Sequence, residues 1–149
     1  MRHPRRVLLP ALSLLAGCAS LSSPAAGLVE GHFAACPSAP HCVSSEAGDE
    51  RHAIAPLLLA DDAWPRVVAA VQASERTTIV EQSAGYLHAE VQSPWHVYTD
   101  DLELRYTPAQ RRVDVRSASR IGYYDFNVNR KRVEALRERL AGQGLLRAP

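Results

Sequence analysis

The chain has 149 residues, of which 46% are hydrophobic, and its formal net charge is +1. This length accommodates one domain with a single hydrophobic core and excludes a protein of several domains. Basic and aromatic residues are not interleaved along the chain, so nucleic acid is excluded as an expected partner.

Charge is distributed unevenly along the chain. Residues 18–104 contain 3 basic and 12 acidic side chains, whereas residues 105–149 contain 11 basic and 4 acidic side chains. This asymmetry indicates either a basic binding face or two halves that pack together and pair their charges. We favour the second arrangement.

The first residues have the pattern of an export signal. Arg2, Arg5 and Arg6 precede an apolar run over residues 7–16. A helix of this length rises only about 15 Å, half the thickness of a bilayer core, so the run is too short to span a membrane. No other stretch of the chain is apolar enough to do so.

The apolar run ends at residues 14–18 in Leu-Leu-Ala-Gly-Cys, which resembles the lipobox of bacterial lipoproteins. The resemblance implies a signal peptide at residues 1–17, cleavage before Cys18 and attachment of fatty acids to that cysteine. Ala19, in place of an aspartate, implies sorting to the outer membrane, facing the periplasm. We therefore expect a lipid-anchored protein of the cell envelope.

A predicted tether and a pair of cysteines follow the signal. Residues 18–35 are rich in serine, alanine and glycine and predict a flexible tether. Cys36 and Cys42 favour a disulfide, because they are an even pair in an oxidising compartment with prolines restricting the loop. The alternative is a metal site that adds the nearby histidines His32, His41 and His52. Neither CxxC nor HxxxH spacing occurs, so we expect no metal.

The next predicted element is a helix over residues 62–74. Asp61 and Asp62 suit its N-terminus, and Pro65 suits its first turn. Apolar residues recur at helical spacing and form one stripe. The residues of this stripe are Trp64, Val67, Val68 and Val71.

Four strands are predicted after this helix. They cover residues 77–81, 86–91, 96–106 and 111–119. Turn sequences rich in Gly, Pro and Ser separate them, at residues 83–85, 92–95 and 107–110. Turns this short imply an antiparallel meander.

The last predicted element is a helix that Asn129 caps and Gly142 ends. The element order α-β-β-β-β-α predicts an α+β fold, in which a four-stranded antiparallel meander sheet carries two helices packed on one face. We expect one domain over residues 36–144, followed by a tail at residues 145–149.

The turn at residues 107–110 sets the predicted register of the last two strands. It places Tyr106 opposite Arg111, which brings Leu104 opposite Val113 on one apolar face. A slip by a single residue would set valines against charged side chains, and this favours the predicted register.

This register places a carboxylate where the buried face turns polar. Asp100 lies opposite Ser117 and beside Leu87, and on the other face Asp101 meets Arg116. A carboxylate at such a boundary needs hydrogen bonds or a cation. The nearest candidates in the sequence are Ser117, Ser119 and Arg120.

Two regions of the chain resemble one family. The first region contains Cys36-Pro37-x-x-Pro40-x-Cys42-Val43-Ser44-Ser45. The second contains Asp100-Asp101-x-Glu103 and Arg116-Ser117-x-Ser119-Arg120-x-Gly122-Tyr123-x-Asp125-x-x-x-Asn129-Arg130-x-Arg132. Together they resemble the family called domain of unknown function 1499, over about residues 34–142. His41 and Phe126 depart from the family pattern, which usually has asparagine and a small residue there. The resemblance implies no established activity.

The polar residues around the last helix support two interpretations. The candidate site consists of Asp100, Ser117, Ser119, Arg120, Asp125, Asn129 and Arg130. A helix N-terminus flanked by arginines suits a small anion or a lipid head group. The alternative that we favour is structural, in which a hydrogen-bonded polar cluster orders the loop at residues 120–128.

Two other classes of function are compatible with the sequence. A hydrolase would combine His96 with Asp100 and Ser117 or Ser119, but strand spacing separates His96 from Asp100 by roughly 13 Å. We therefore favour a protein without catalytic residues or a cofactor. An envelope protein that binds a protein partner, with Trp95 as an anchor, is the remaining class.

Overall fold

The computed structural model describes residues 22–147. The helices are α1 (Trp64–Gln72) and α2 (Val128–Gly142). The strands in chain order are β1 (Leu28–Val29), β2 (His32–Phe33), β3 (Cys42–Ser44), β4 (Leu57–Leu58), β5 (Thr77–Gln82), β6 (Tyr86–Gln92), β7 (Thr99–Thr107) and β8 (Arg112–Ser119). The predicted signal peptide at residues 1–17 and the predicted lipidation site Cys18 lie outside the described residues.

A six-stranded antiparallel sheet organises the fold. Strands β5 to β8 form the predicted meander, and both β3 and β4 pair with the outer edge of β8. The α+β class with an antiparallel sheet and two helices is confirmed, but the predicted four-stranded sheet and the order α-β-β-β-β-α are wrong. Strands β3 and β4 contain only 3 and 2 residues, too few for an alternating pattern to reveal them.

Both helices bury one side in the same hydrophobic core. The predicted stripe of α1 is confirmed, since Trp64, Val67, Val68 and Val71 are all buried. The buried apolar residues of α2 are Val133, Leu136 and Leu140. They pack with strand residues such as Leu87, Leu104 and Val115, each of which stabilises the fold by roughly 1.5–3 kcal/mol through burial. Neither helix within residues 22–147 has the length and apolar character needed to cross a bilayer.

Helix α1 is two residues shorter at each end than the predicted helix at residues 62–74, and its cap also differs. The helix begins at Trp64 with Pro65 in the first turn, and no side chain caps it. Asp62 instead accepts a hydrogen bond from the Tyr106 hydroxyl at 2.6 Å. That bond joins the helix start to β7, next to the parallel ring stack of Trp64 on Tyr106, whose centroids are 5.5 Å apart.

The start of α2 differs from the prediction. The cap position is Asn127, in a left-handed conformation with φ 61°, so Asn129 lies inside the first turn and does not cap the helix. The Asp125 carboxylate accepts hydrogen bonds from the backbone N–H groups of Asn127 and Asn129 at 2.9 and 3.0 Å. Because Asp125 satisfies these donors, the Asn129 side chain is free to reach the sheet. The predicted end at Gly142 is confirmed.

The register between β7 and β8 differs from the prediction by two residues. Arg111 adopts a left-handed conformation with φ 49° at the end of the turn, and Thr107 therefore lies opposite Arg112. Leu104 faces Val115 instead of Val113. A shift of two residues keeps each side chain on its face, so the apolar face is retained although the pairs are wrong.

The same shift changes the polar pairs. Asp100 lies opposite Ser119 instead of Ser117, and Glu103 faces Arg116 in place of Asp101. These corrections decide which carboxylate receives which cation.

The register between β6 and β7 also differs. Val91, not Leu87, lies opposite Asp100. Strand β7 begins at Thr99, later than the predicted start at residue 96, because Pro94–His96 form a turn of 3₁₀ helix. The connection between β6 and β7 is therefore longer than predicted, and every residue pair between these two strands is shifted.

The chain from residue 22 lies over the sheet face that the helices do not cover. The Gly27 N–H donates to Glu103 Oε1 at 2.8 Å, and Arg116 Nη2 donates to the Pro24 carbonyl at 3.4 Å. The described part of the predicted tether, residues 22–35, is thus held against the sheet by polar contacts.

The described part of the predicted tail is packed as well. Leu145 is buried, Leu146 forms a β-bridge with Leu59, and the Arg147 N–H donates to the Leu58 carbonyl at 2.9 Å. These residues complete the core beside β4.

Cys36 and Cys42 form the predicted disulfide, with their Cα atoms 5.6 Å apart. Neither sulfur is then a thiolate, which is the form that binds zinc, so the metal alternative loses two ligands. Within residues 22–147, no group of three or more His, Cys, Asp or Glu side chains could hold a metal ion.

Candidate functional site

A buried polar cluster joins α2 to the sheet where β7 begins and β8 ends. We call this cluster the polar plug. It consists of Asp100, Ser117, Ser119, Asp125, Asn129 and Arg132, with the backbone of His41. Five of its side chains belong to the candidate site that the sequence predicts.

Asn129 lies at the centre of the polar plug and has no exposed surface. Its Nδ2 is 2.9 Å from Ser119 Oγ, 2.9 Å from Asp125 Oδ2 and 3.0 Å from the His41 carbonyl oxygen. Its Oδ1 accepts from Ser117 Oγ at 2.7 Å. One amide therefore connects α2, β8, the cysteine loop and the loop before the helix.

Arg132 supplies the cation for the buried Asp100 carboxylate. Its Nη2 lies 2.6 Å from Asp100 Oδ2, and the two side chains are 16% and 10% exposed. Its Nη1 donates to Ser117 Oγ at 2.9 Å and to Asn129 Oδ1 at 2.6 Å. The guanidinium thus neutralises the carboxylate and completes the hydrogen bonds of the plug.

Two predicted site residues do not join the plug. Arg120 lies on the other face of the sheet, where it contacts Asp101 at 2.8 Å and Glu90 at 2.6 Å. Arg130 donates to the Arg51 carbonyl at 3.0 Å. Arg120 is thus paired with two carboxylates, and Asp125 accepts from the backbone N–H groups of Asn127 and Asn129 at the start of α2.

The residues considered for a hydrolase do not form a Ser-His-Asp triad. Asp100 pairs with Arg132, and His96 Nδ1 contacts the Gln92 side chain in an exposed turn. The Ser117 hydroxyl donates to the amide oxygen of Asn129, which is not a base. The serines therefore act as hydrogen-bonding members of the plug.

The second sheet face carries a network of charged side chains, which we call the charged face. Arg116 and Glu103 pair at 2.6 Å with 0% exposure on both sides. Tyr86 donates to Glu103 Oε1 at 2.8 Å, and burial together with this carboxylate raises the pKa of the Tyr86 hydroxyl well above its usual range. Tyr86 therefore remains a hydrogen-bond donor.

Two other carboxylates of the charged face also receive several donors. Burial raises the pKa of Asp101, but hydrogen bonds from His88 and Arg120 outweigh it and hold the pKa at about 2. Burial acts in the same way on Asp114, and hydrogen bonds from Arg112, Arg105 and Ser45 lower its pKa. Both groups are carboxylates at neutral pH.

A groove of about 400 Å³ lies beside the plug, between α2 and the adjoining ends of the strands. We call it the α2 groove. Its apolar side chains include Val91, Leu102, Val128, Ala135 and Leu136, and its charged side chains are Glu75, Arg76, Asp100, Lys131, Arg132 and Arg139.

The cations of the α2 groove differ in their partners. Arg132 pairs with Asp100, and Arg76 Nη1 lies 3.3 Å from Glu75 Oε2. Lys131 Nζ contacts the Phe126 carbonyl, and Arg139 Nη1 donates to the Ala70 carbonyl and Ser74 Oγ. Among the described residues, no carboxylate pairs with Lys131 or Arg139, so an ion pair neutralises neither charge.

Residues 32–140 match the family described as protein of unknown function (DUF1499). The chain belongs to this family. The match includes the disulfide, the polar plug, the charged face and almost all of α2, and it confirms the family resemblance that the sequence motifs indicate. No curated protein and no solved structure matches the chain.

The main residue that sequence reasoning missed in the DUF1499 domain is Arg132. It belongs to the family motif, but the prediction assigned the role of cation near Asp100 to Arg120. Asn129 and Arg132 are three residues apart, so they share one face of a helix, and this spacing was a usable signal. The predicted role of Asn129 as a cap outside the helix hides this spacing.

The polar plug and the α2 groove of the DUF1499 domain differ in how their polar side chains are paired. In the polar plug the buried groups are bonded to one another, which is typical of a cluster that positions backbone segments. The α2 groove instead presents apolar side chains beside Lys131 and Arg139, which no carboxylate among residues 22–147 pairs with.

Proposed function

We propose that the protein is a lipid-anchored module of the cell envelope that binds a small anionic amphiphile in the α2 groove. The observation that carries this proposal is the apolar floor of the groove beneath cations that lack a carboxylate partner among residues 22–147. The polar plug holds the groove in shape from one end.

The floor suits an acyl chain. Leu102 and Leu136 are core residues whose side chains also line the groove, and Val91 lies beside them. Each methylene group that leaves water here contributes about 0.8 kcal/mol. The groove volume of about 400 Å³ is within the range of small-molecule sites.

The rim suits a phosphate or carboxylate head group. Lys131 and Arg139 both line the groove from α2, as Arg132 does. Charge-assisted hydrogen bonds from such groups are about twice as strong as neutral ones. A ligand with one anionic head and one short chain would satisfy rim and floor together.

The first test measures binding to a soluble chain of residues 22–149, which keeps the segment over the charged face. The probe is dodecyl phosphate, at concentrations below its critical micelle concentration. Isothermal titration calorimetry measures its binding. We expect saturable binding, with dodecyl maltoside binding about tenfold more weakly because it lacks the charge.

Variants localise the binding to the groove. Ala135 is exposed on the groove side of α2, so A135W fills the space without disturbing the core and should abolish binding. The double change K131Q/R139Q should weaken it about tenfold, whereas R51Q, a surface cation outside the groove, should leave it unchanged. Equal affinity of A135W and the unchanged chain would refute the proposed site.

The anchor is tested separately on the full chain expressed in a Gram-negative cell. Mass spectrometry of the membrane-extracted protein should show an N-terminus at Cys18 that carries acyl chains, and C18A should remain unprocessed. A mass without fatty acid would exclude the anchor and leave the groove proposal intact.

A further inference from the structure

We infer that two neighbouring loops form a membrane-docking surface, which lays the domain on the bilayer with the mouth of the α2 groove beside the lipid. The loops are residues 94–98 and 121–128. This inference rests on the lipid anchor of the proposed function, and the test below separates the two.

The loops expose an unusual amount of apolar surface, which we call the aromatic patch. Trp95 is 91% exposed and Phe126 is 74% exposed. Tyr98, Ile121 and Tyr123 are each more than half exposed. Single exposed apolar residues are ordinary, but a contiguous group marks an interaction surface.

The two loops are adjacent in space. Tyr98 from one loop and Ile121, Tyr124 and Phe126 from the other line the same cavity of about 260 Å³. Tyr124 and Phe126 pack edge to face with their ring centroids 5.1 Å apart. Tyr98, Ile121, Tyr124 and Phe126 therefore form one surface, and Trp95 precedes Tyr98 by three residues in the same loop.

Backbone strain accompanies the exposure of the largest side chains. Trp95 has φ 68° and Phe126 has φ 55°, in the left-handed region that costs a non-glycine residue about 1–2 kcal/mol. Both side chains nevertheless stay mostly exposed among residues 22–147. Strain of this kind is typical of functional segments, and here it accompanies rings that lie in solvent.

The position of the anchor identifies the occupant of the patch. Ser22 forms a β-bridge with Ile121, and the Ser23 N–H donates to the Arg120 carbonyl at 3.3 Å. Cys18 precedes Ser22 by four residues, which reach at most about 14 Å when extended. A lipid on Cys18 therefore holds the Ile121 loop close to the bilayer surface.

The chemistry of the patch matches the interfacial region of a bilayer. Tryptophan and tyrosine concentrate at the level of the lipid head groups, where ring and polar atom are both accommodated. Lys131 is exposed beside the patch, with its Nζ 3.4 Å from the Phe126 carbonyl, and it would attract anionic lipid.

Docking would also place the α2 groove at the membrane. Val128 and Ser93 line both the patch cavity and the groove, and Pro94 lines the groove from the exposed loop. An anionic amphiphile could then exchange between the bilayer and the groove without crossing water.

The test uses the acylated full-length protein reconstituted in phosphatidylethanolamine and phosphatidylglycerol vesicles with brominated acyl chains. The chain has 2 tryptophans, the buried Trp64 and the exposed Trp95. In W64F the remaining Trp95 should shift its emission to shorter wavelength and lose about half its intensity to bromine quenching. In the matched variant W95F, Trp64 should not be quenched.

Further variants separate docking of the aromatic patch from attachment through the lipid anchor. I121D/F126D in the W64F background should abolish quenching of Trp95, with acylation verified by mass. Unquenched Trp95 in fully acylated W64F protein would overturn docking while leaving the anchor standing. If the Trp95 emission shifts without bromine quenching and cross-linking gives a species of twice the protein's mass, the patch binds a second copy of the chain. This result would also overturn docking to the membrane.

Discussion

Glu103 and Arg116 form an ion pair in which neither side chain has exposed surface, with Arg116 Nη1 2.6 Å from Glu103 Oε2. The partners lie opposite each other on β7 and β8. Glu103 Oε1 also accepts from Tyr86 and from the Gly27 N–H, each at 2.8 Å. The pair thus joins the sheet to the N-terminal segment over the charged face.

Removal of Arg116 should be strongly destabilising. In R116M the Glu103 carboxylate stays buried without its cation, so we expect the free energy of unfolding to fall by about 3–5 kcal/mol. Urea unfolding of a chain that begins at residue 22 measures the change.

The double variant E103Q/R116M is the control for charge. Its free energy of unfolding should fall by less than the sum of the decreases for E103Q and R116M, because the neutral amide leaves no uncompensated charge. R66M removes an exposed partner of Asp61 and should cost less than about 1 kcal/mol. Similar losses for R116M and R66M would contradict the role assigned to the buried pair.

Acid should weaken the fold through Asp101. Its pKa of about 2 in the folded state lies below the usual value near 3.9, so its contribution is complete above about pH 4 and disappears as the pH falls towards 2. This shift corresponds to a loss of about 2.6 kcal/mol in the free energy of unfolding. Unfolding free energies between neutral pH and pH 2 measure it.

D101N should be less stable at neutral pH, and its deficit should shrink in acid because the amide does not titrate. Asp114, whose pKa is also lowered, should keep part of the acid dependence in this variant. A deficit that stays constant across this pH range would show that Asp101 does not carry the effect.

Loss of the central amide should loosen the polar plug. N129A leaves the hydroxyls of Ser117 and Ser119 and the His41 carbonyl without their shared partner, and we expect a cost of about 2–4 kcal/mol. Thermal unfolding measures the cost, and hydrogen exchange should show faster opening of the first turn of α2.

The neighbouring Asn127 provides the control, because it is exposed and adopts a left-handed φ of 61° that glycine accepts freely. N127G should leave stability unchanged or slightly raised. An N129A protein as stable as N127G would mean that the plug does not order α2.

The disulfide should contribute about 2 kcal/mol in the chain-entropy model, because it closes a short loop between Cys36 and Cys42. Reductant should lower the Tm of the unchanged protein and leave that of C36A/C42A unaltered. A Tm of the unchanged protein that is insensitive to complete reduction, verified by thiol labelling, would contradict this contribution.

Local patterns in the sequence predicted much of the fold. The stripe of α1, the four long strands and the end of α2 at Gly142 all follow from side-chain periodicity and turn residues within a few positions. The cysteine pair was equally predictable, because its members are only six positions apart in the sequence. Each of these features depends on neighbours in the chain.

The charge distribution was also informative. The acidic first part and the basic second part were expected to pair, and several ion pairs of the structure join them. Examples are Glu103 with Arg116, Asp101 with Arg120 and Asp100 with Arg132. Composition indicated that pairing would occur, but not which partners would meet.

Tertiary structure decided those partners. The left-handed conformation of Arg111 shifts the β7–β8 register by two residues from the predicted one, and Arg116 therefore lies opposite Glu103. Because Asp125 caps α2, the Asn129 side chain can reach the sheet, and Arg132 pairs with Asp100. The sequence by itself determined which side chains share a face, because periodicity is local. The contacts between these side chains depend on the backbone conformation of one turn residue and on the packing of segments that are distant in sequence. Both are set only in the folded chain.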